Sequence, residues 1–300
     1  MKKILSLLMV MAFVLTGCTS SQEEKAIKIL APSGAPSLSL LGVYEDTVKK
    51  GEIKIVEGSD LLSSELVKKD SEYDAIIAPI NLGCQLIAKG QTDYKLAGVV
   101  TWGNLYLVEN TNVTNQTLAA FGEQAVPGKI FNIVKDSFEA IKNSEVTFYN
   151  AVSDVQAQML AGKVQYGLMA EPAATATIAK AKENGMTLKI SASLQELYQN
   201  KMGTKEAGYP QAAIFVKNTD DVKTLLSNIE TFTSSTAKRE SIQELVDKIG
   251  ADIFGIPSGA IAEKTWDNQN IEYKDASSVK EDIKAILEQF NIEFSDDMLI

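Results

Sequence analysis

Histidine is absent from all 300 residues, and arginine occurs once, as Arg239. Without an imidazole there is no Ser-His-Asp or Cys-His nucleophile, no histidine general base and almost no zinc or copper chemistry. Most hydrolytic and metal-dependent catalysis is thereby excluded, and neither a cofactor nor a metal is expected. The single arginine lies in residues 236–249, which are patterned as a surface helix. A bidentate guanidinium clamp on a ligand carboxylate or phosphate is therefore not expected. Basic residues are also in deficit, 29 against 39 acidic, for a formal net charge of −10. A chain so charged is a poor partner for nucleic acid. Cysteine occurs twice, as Cys18 and Cys84, and Cys84 reads as a buried apolar thiol.

What is present begins with a basic Met1-Lys2-Lys3, an apolar run over residues 4–15 and the segment Leu15-Thr16-Gly17-Cys18. The run is short for a bilayer span and has the layout of a secretory signal. Its end resembles the bacterial lipobox, which implies cleavage before Cys18 and a diacylglycerol on that residue. Residues 1–17 are then a signal peptide and residues 18–25, polar and without periodicity, a tether to the outer face of the cell membrane. Loss of Lys2 and Lys3 takes the mature charge from −10 to about −12. With Cys18 lipidated, no internal disulfide is possible.

The remaining chain, with 45% hydrophobic residues, is long enough for one large domain or two linked ones. Its organising stretch is residues 31–37, Ala-Pro-Ser-Gly-Ala-Pro-Ser, after the short apolar run of residues 27–30. Proline suits a first helical turn, serine accepts from the next amides, and glycine permits close backbone approach. The reading is strand, turn, helix, with the helix running to about Lys50 before Gly51. Either an ordinary turn or a ligand cradle fits. Strands are expected at residues 53–56, 73–78, 94–101, 105–108, 117–121, 146–150, 165–170, 186–190 and 211–217. Helices are expected at 60–69, 80–89, 127–142, 153–161, 172–184, 220–233, 238–249, 257–266 and 277–290. Strand and helix alternate, so the sheets should be mostly parallel. Trp102-Gly103-Asn104 reads as a tight break between antiparallel or bent strands. The polar residues 110–115 read as the first crossing into a second lobe, and 204–209 as the return. Lobe one is then 26–109 with 210–300, and lobe two is 110–209. Ala78-Pro79 followed by Ile87-Ala88-Lys89 is faintly echoed by Ala170-Glu171-Pro172 followed by Ile178-Ala179-Lys180, as two lobes of related topology would produce.

Open α/β sheets bind ligands beyond the carboxyl ends of their strands. The turns meeting that condition are residues 33–37, 80–83, 101–104, 122–126 and Glu171, and they come from both lobes. A cleft that closes on a small molecule follows. At these residues the chain resembles the substrate-binding proteins of ABC importers, in the branch of nitrate, sulfonate and thiamine-precursor binders. The resembling pieces are the lipobox at Cys18, residues 31–36, Ala78-Pro79-Ile80-Asn81-Leu82-Gly83, Thr101-Trp102-Gly103-Asn104-Leu105-Tyr106, Ala170-Glu171-Pro172 and Tyr209-Pro210-Gln211. The resemblance implies the α/β, two-lobed type 2 periplasmic-binding fold, each lobe a mostly parallel sheet flanked by helices on a two-segment hinge. It implies a monomeric, non-enzymatic lipoprotein that passes a small solute to a permease and its ATPase. The anion-clamping arginine of some relatives is missing.

The expected ligand contacts are Ser33, Gly34, Ala35, Pro36, Ser37, Asn81, Trp102, Gly103, Asn104, Gln124, Ala125, Val126, Glu171 and Tyr209. Trp102 and Tyr209 would stack on a ring, Asn81 and the 33–37 amides would read its polar edge, and Glu171 would pair with a ring nitrogen or amino group. Asn81 and Glu171 equally suit helix capping, and Trp102 a core or rim position. Trp266 and Tyr273 read as packing between the terminal helices and the sheet. The preferred ligand is a nitrogen heterocycle resembling a thiamine precursor, with a sulfonate or nitrate next. Two other readings are an enzyme of thiamine or menaquinone synthesis on the same fold and a ligand-sensing lipoprotein without a transporter.

Overall fold

The computed structural model describes residues 27–44, 52–217, 219–235 and 241–300. Cys18, the tether, Lys50, Gly51 and Arg239 lie outside the described residues. In chain order the first elements are β1 (Ile29–Pro32), α1 (Ala35–Leu38), β2 (Ile53–Val56), α2 (Asp60–Val67), β3 (Ala75–Pro79), α3 (Ile80–Ala88), β4 (Lys95–Thr101) and β5 (Leu105–Asn110). There follow β6 (Thr117–Phe121), α4 (Val126–Val134), β7 (Glu145–Tyr149), α5 (Val152–Leu160), β8 (Tyr166–Ala170), α6 (Ala173–Glu183), β9 (Leu188–Ser193) and α7 (Leu194–Met202). The chain closes with β10 (Ala212–Val216), α8 (Thr219–Ser234), α9 (Ile242–Ile249), α10 (Gly259–Thr265), β11 (Ile271–Asp275) and α11 (Lys280–Glu288).

The strands form two sheets, ordered β11-β4-β10-β3-β1-β2 and β7-β6-β8-β5-β9. In the first, β1, β2, β3 and β4 run one way, and β10 and β11 run against them. In the second only β5 opposes the rest. Strand periodicity divides the core. Ile29, Ala31, Ala75, Ile77, Ala212, Ile214 and Val216 pack on one face of the first sheet, against α8, α9 and α10. Leu30, Ile76, Ala78, Ala213 and Phe215 pack on the other face, with α2, α3 and α11. On β4 the same-face residues Leu96 and Val99 are three apart, because its ladder with β10 shifts register between Ile214 and Phe215. The second face continues through Leu105, Tyr209 and Tyr198 into the second sheet, so one apolar cluster runs under both halves. Trp266 and Tyr273 are buried in the packing of the terminal helices on the first sheet.

Because β4 belongs to the first sheet and β5 to the second, the chain changes sheets at Trp102, Gly103 and Asn104. This is earlier than the expected crossing at residues 110–115, which instead turn within the second sheet's half. There the Asn110 side-chain oxygen accepts from the Asn112 amide, and that of Asn112 accepts from the Thr187 amide. Asn110 thus makes a local turn, and Asn112 ties that turn to Thr187 in the same half, so the segment is not a linker between the halves. The long helix expected at 127–142 ends at Val134 and continues as 3₁₀ turns at Lys135–Ser137 and Glu139–Ile141, with Phe138 extended between them. Two elements had no sequence expectation, α7 and β11. The first carries a clear signal, with the Ser193 hydroxyl accepting from the Glu196 amide and Gly203 left-handed at φ 71. Residues 45–50 of the expected first helix are outside the described residues, and before them the backbone forms only α1 and a 3₁₀ turn at Leu41–Val43.

Gly83 inside α3 has no room for a side chain, since a Cβ would fall 2.2 Å from the Phe215 ring. Alanine gains about 1 kcal/mol over glycine in a helix, but overpacking a core costs about 1–3 kcal/mol. Gly83→Ala should therefore be net destabilising, by up to about 2 kcal/mol in urea unfolding. Unchanged or increased stability would show that Phe215 yields freely.

Candidate functional site

Between the sheets lies a cavity of about 480 Å³ lined by Ser59, Pro79, Asn81 and Leu82 from one half and Gly122, Glu123, Gln124, Ala125, Phe148, Tyr149 and Asn150 from the other. These residues sit where β2, β3, β6 and β7 run out into α2, α3, α4 and α5, at the carboxyl ends of parallel strands. The β6 turn is held by the Gly122 carbonyl, which accepts from the Ala125 and Gly128 amides at 2.9 and 3.0 Å. Gly122 takes φ 66, and a Cβ on Gly128 would meet the Glu123 carbonyl oxygen at 2.5 Å, so both positions require glycine. Four helices begin at the cavity, which gives it a mildly positive rim. No lysine or arginine lines it among the described residues, and Glu123 is its one charged residue. The Asn81 Oδ1 is buried and has no hydrogen-bond partner there.

Asn81, Gln124 and Ala125 are thus brought together, and Val126 is buried directly behind them as the first residue of α4. The turn at 33–37 follows β1, between β2 and β3, but it is not among the residues that line the cavity and it spends its polar groups internally. The Ser33 amide donates to the Val56 carbonyl and the Gly34 amide to that of Phe254. The buried Ser37 hydroxyl donates to the Gly34 and Phe254 carbonyls at 2.8 and 3.2 Å, Ala35 is buried, and Pro36 has no N–H to offer. Gly34 takes φ 88, with open space where a Cβ would stand.

Trp102, Gly103, Asn104 and Tyr209 make the junction between the halves. The Tyr209 amide donates to the Trp102 carbonyl and the Gln211 amide to that of Thr101, so the two crossings lie side by side. Gly103, at φ 87, leaves no space for a Cβ against the Tyr209 ring at 2.8 Å. Tyr209 is buried, stacked edge-on with Tyr198 at 5.2 Å, and donates through its hydroxyl to Gln195. Trp102 faces away from the cavity that holds Asn81. Its indole N–H donates to the Glu272 carbonyl, the Lys274 ammonium stands 4.8 Å over its ring, and it lines a separate 780 Å³ depression with residues 203–208 and 270–272.

Glu171 is 1% exposed and caps its own helix. Its carboxylate accepts from the Thr175 amide at 3.0 Å and the Thr175 hydroxyl at 2.7 Å. Burial raises its pKa above the ordinary carboxylate value, outweighing those two bonds and the attraction of Lys264. Leu82 lies in the expected 80–83 turn and Pro79 just before it, whereas Ser59, Phe148, Tyr149 and Asn150 were not anticipated. The strand-end rule that selected Gln124 also reaches Tyr149 and Asn150, since residues 146–150 read as a strand from the sequence.

An acid whose pKa is raised by folding holds its proton more tightly in the folded state than in the unfolded state. Its favourable contribution is complete below the unfolded value, near pH 4.3, and is lost as pH rises through the folded one. Glu171→Gln does not titrate, so its stability relative to the parent protein should improve as pH rises from about 4 to 7. Urea unfolding across that range measures the difference. A flat difference would mean that the Glu171 carboxyl titrates normally.

No protein-family model matches the chain, and no curated protein matches it. Solved structures do. An ABC transporter protein from Parabacteroides distasonis has 23% identity and a TM-score of 0.72, over 89% of this chain and 92% of its own. The periplasmic aliphatic sulphonate binding protein of Escherichia coli has 14% identity and a TM-score of 0.59, over 88% and 85%. The periplasmic nitrate-binding protein of Synechocystis has 12% identity and a TM-score of 0.53, over 80% and 69%. At these identities the likeness establishes the fold, and the chain therefore has the two-lobed α/β architecture found in the solute-binding proteins of ABC importers.

Proposed function

We propose that this chain is an extracytoplasmic, lipid-anchored solute-binding protein, without enzymatic activity, that captures a small molecule between its two halves and delivers it to an ABC permease and ATPase. The observation that carries the reading is the 480 Å³ cavity, built from strand ends of both sheets, which are joined by adjacent crossings. That volume suits a small molecule. Among the described residues no helix is long and apolar enough to cross a membrane, and no group of three or more metal-ligating side chains occurs. Anchoring by a lipid on Cys18 suits the lipobox and a protein that acts as a monomer beside its permease.

The solute favoured by the lining is a neutral or weakly cationic nitrogen ring of the thiamine-precursor kind. Phe148 and Tyr149 supply apolar walls, while Ser59, Asn81, Gln124 and Asn150 supply neutral hydrogen-bonding groups. A sulfonate or nitrate is the second reading. It is favoured by the helices that begin at the cavity, whose amide ends suit a small oxyanion even without a cation. Mass spectrometry of the solute that accompanies the full-length protein out of membranes distinguishes the two. Under the ring reading, Tyr149→Ala should weaken calorimetric binding of that solute by about 1–2 kcal/mol, the usual scale of a lost aromatic contact. Undiminished affinity would remove Tyr149 from the site.

Anchoring has its own test. Cys18→Ser should abolish incorporation of a fatty-acid analogue while the thermal unfolding of the protein stays unchanged, because the polar sequence of residues 18–25 offers little apolar surface to bury. Undiminished label on the variant would refute the lipid assignment.

A further inference from the structure

At the floor of the junction three polar groups form a directed chain. The Asn104 amide nitrogen donates to the Glu171 carbonyl at 2.8 Å, and the Asn104 side-chain oxygen accepts from Gln211 Nε2, also at 2.8 Å. A backbone carbonyl can only accept, so the orientation of Asn104 is dictated by Glu171, and that of Gln211 is dictated by Asn104. The Gln211 Oε1 must then point elsewhere, as an acceptor. It is buried and has no donor among the described residues, and the same holds for Asn81 Oδ1. The two residues are neighbours through the backbone, because the Ile80 amide at the start of α3 donates to the Gln211 carbonyl at 3.1 Å. Buried acceptors left without donors are costly, and the great majority in folded proteins are paired.

Building on the solute-binding reading, we infer that Gln211 and Asn81 form an acceptor pair that selects solutes carrying N–H donors. Gln211 is the specificity residue held in place by Asn104, and amines, amides and amino-substituted rings are the class admitted. Asn81 lines the 480 Å³ cavity and Gln211 lies behind that lining, and both oxygens are covered by protein in the present arrangement, so a solute reaches them when the halves part and is held when they close. A donor-bearing solute then supplies the missing partners in the closed form and favours that form by differential interaction. An oxyanion that carries only acceptors would set lone pairs against lone pairs.

The test is binding of four probes to the full-length protein in detergent, followed by thermal shift and calorimetry. Two carry N–H donors, 4-amino-5-hydroxymethyl-2-methylpyrimidine and cytosine. Two carry acceptors only, methanesulfonate and nitrate. The expected result is binding of a donor-bearing probe and of neither anion, with affinity falling at least tenfold in Gln211→Leu and Asn81→Leu. Asn81→Asp, which keeps an acceptor at the same place, should retain binding within about threefold, and this separates recognition from damage to the fold. Anion binding that is unchanged in Gln211→Leu would overturn the acceptor pair and leave the solute-binding reading standing. Binding of none of the four would overturn the pair and the ring reading together. Equal loss in Asn81→Asp and Asn81→Leu would also overturn it, by showing that an acceptor is not what the site uses.

Discussion

The chain passes between its sheets through two short segments that lie against each other, and the side chain of Asn104 closes the seam. It donates to Glu171 on the β8 side and accepts from Gln211 on the β10 side, so one buried amide is shared by both crossings and a strand end of the second sheet. A buried amide left unpaired costs on the order of 1–3 kcal/mol, which is a strong reason for all three groups to keep their places. The surrounding sequence allows the approach. Gly103 and Gly208 lie where a Cβ would strike the Tyr209 ring or the Trp102 carbonyl oxygen at 2.8 Å, so the segments could not lie together with larger residues. Tyr209 itself closes the apolar cluster that continues beneath both sheets.

Around that seam the polar groups divide into those the fold uses and those it leaves available. The 33–37 turn, Glu171 and Trp102 are spent on the protein itself, on the Phe254 carbonyl, on Thr175 and on the Glu272 carbonyl. What remains toward the 480 Å³ cavity is neutral and short, apart from Glu123. The same economy applies to the thiol. Cys84 lies buried in α3 with its pKa pushed up to about 12, so it packs as an apolar residue and is unreactive.

Legibility in the sequence followed the range of the interactions concerned. The continuous apolar runs of β1, β3 and β10 are a property of five or so neighbours, and each run falls on the strand it suggests. Gln124 and Ala125 were readable because a glycine-rich turn after a strand is itself a local pattern. The first crossing was not, because a three-residue break between apolar runs looks the same whether the next strand pairs with the last or joins another sheet. Likewise β11 alternates Ile271 and Tyr273 with charged neighbours, yet it is a short edge strand among helices whose partner β4 lies far back in the chain.

The sequence by itself determined the alternating elements, the α/β class and the absence of histidine chemistry, because composition and periodicity are carried by each residue and its near neighbours. Only the tertiary structure decided that Trp102 packs under Lys274 outside the Asn81 cavity, that Glu171 is satisfied by Thr175, and that Phe148, Tyr149 and Asn150 face Asn81 across the gap. A side chain's role depends on which distant group meets its donors and acceptors. For Gln211 that group is Asn104, 107 positions away along the chain.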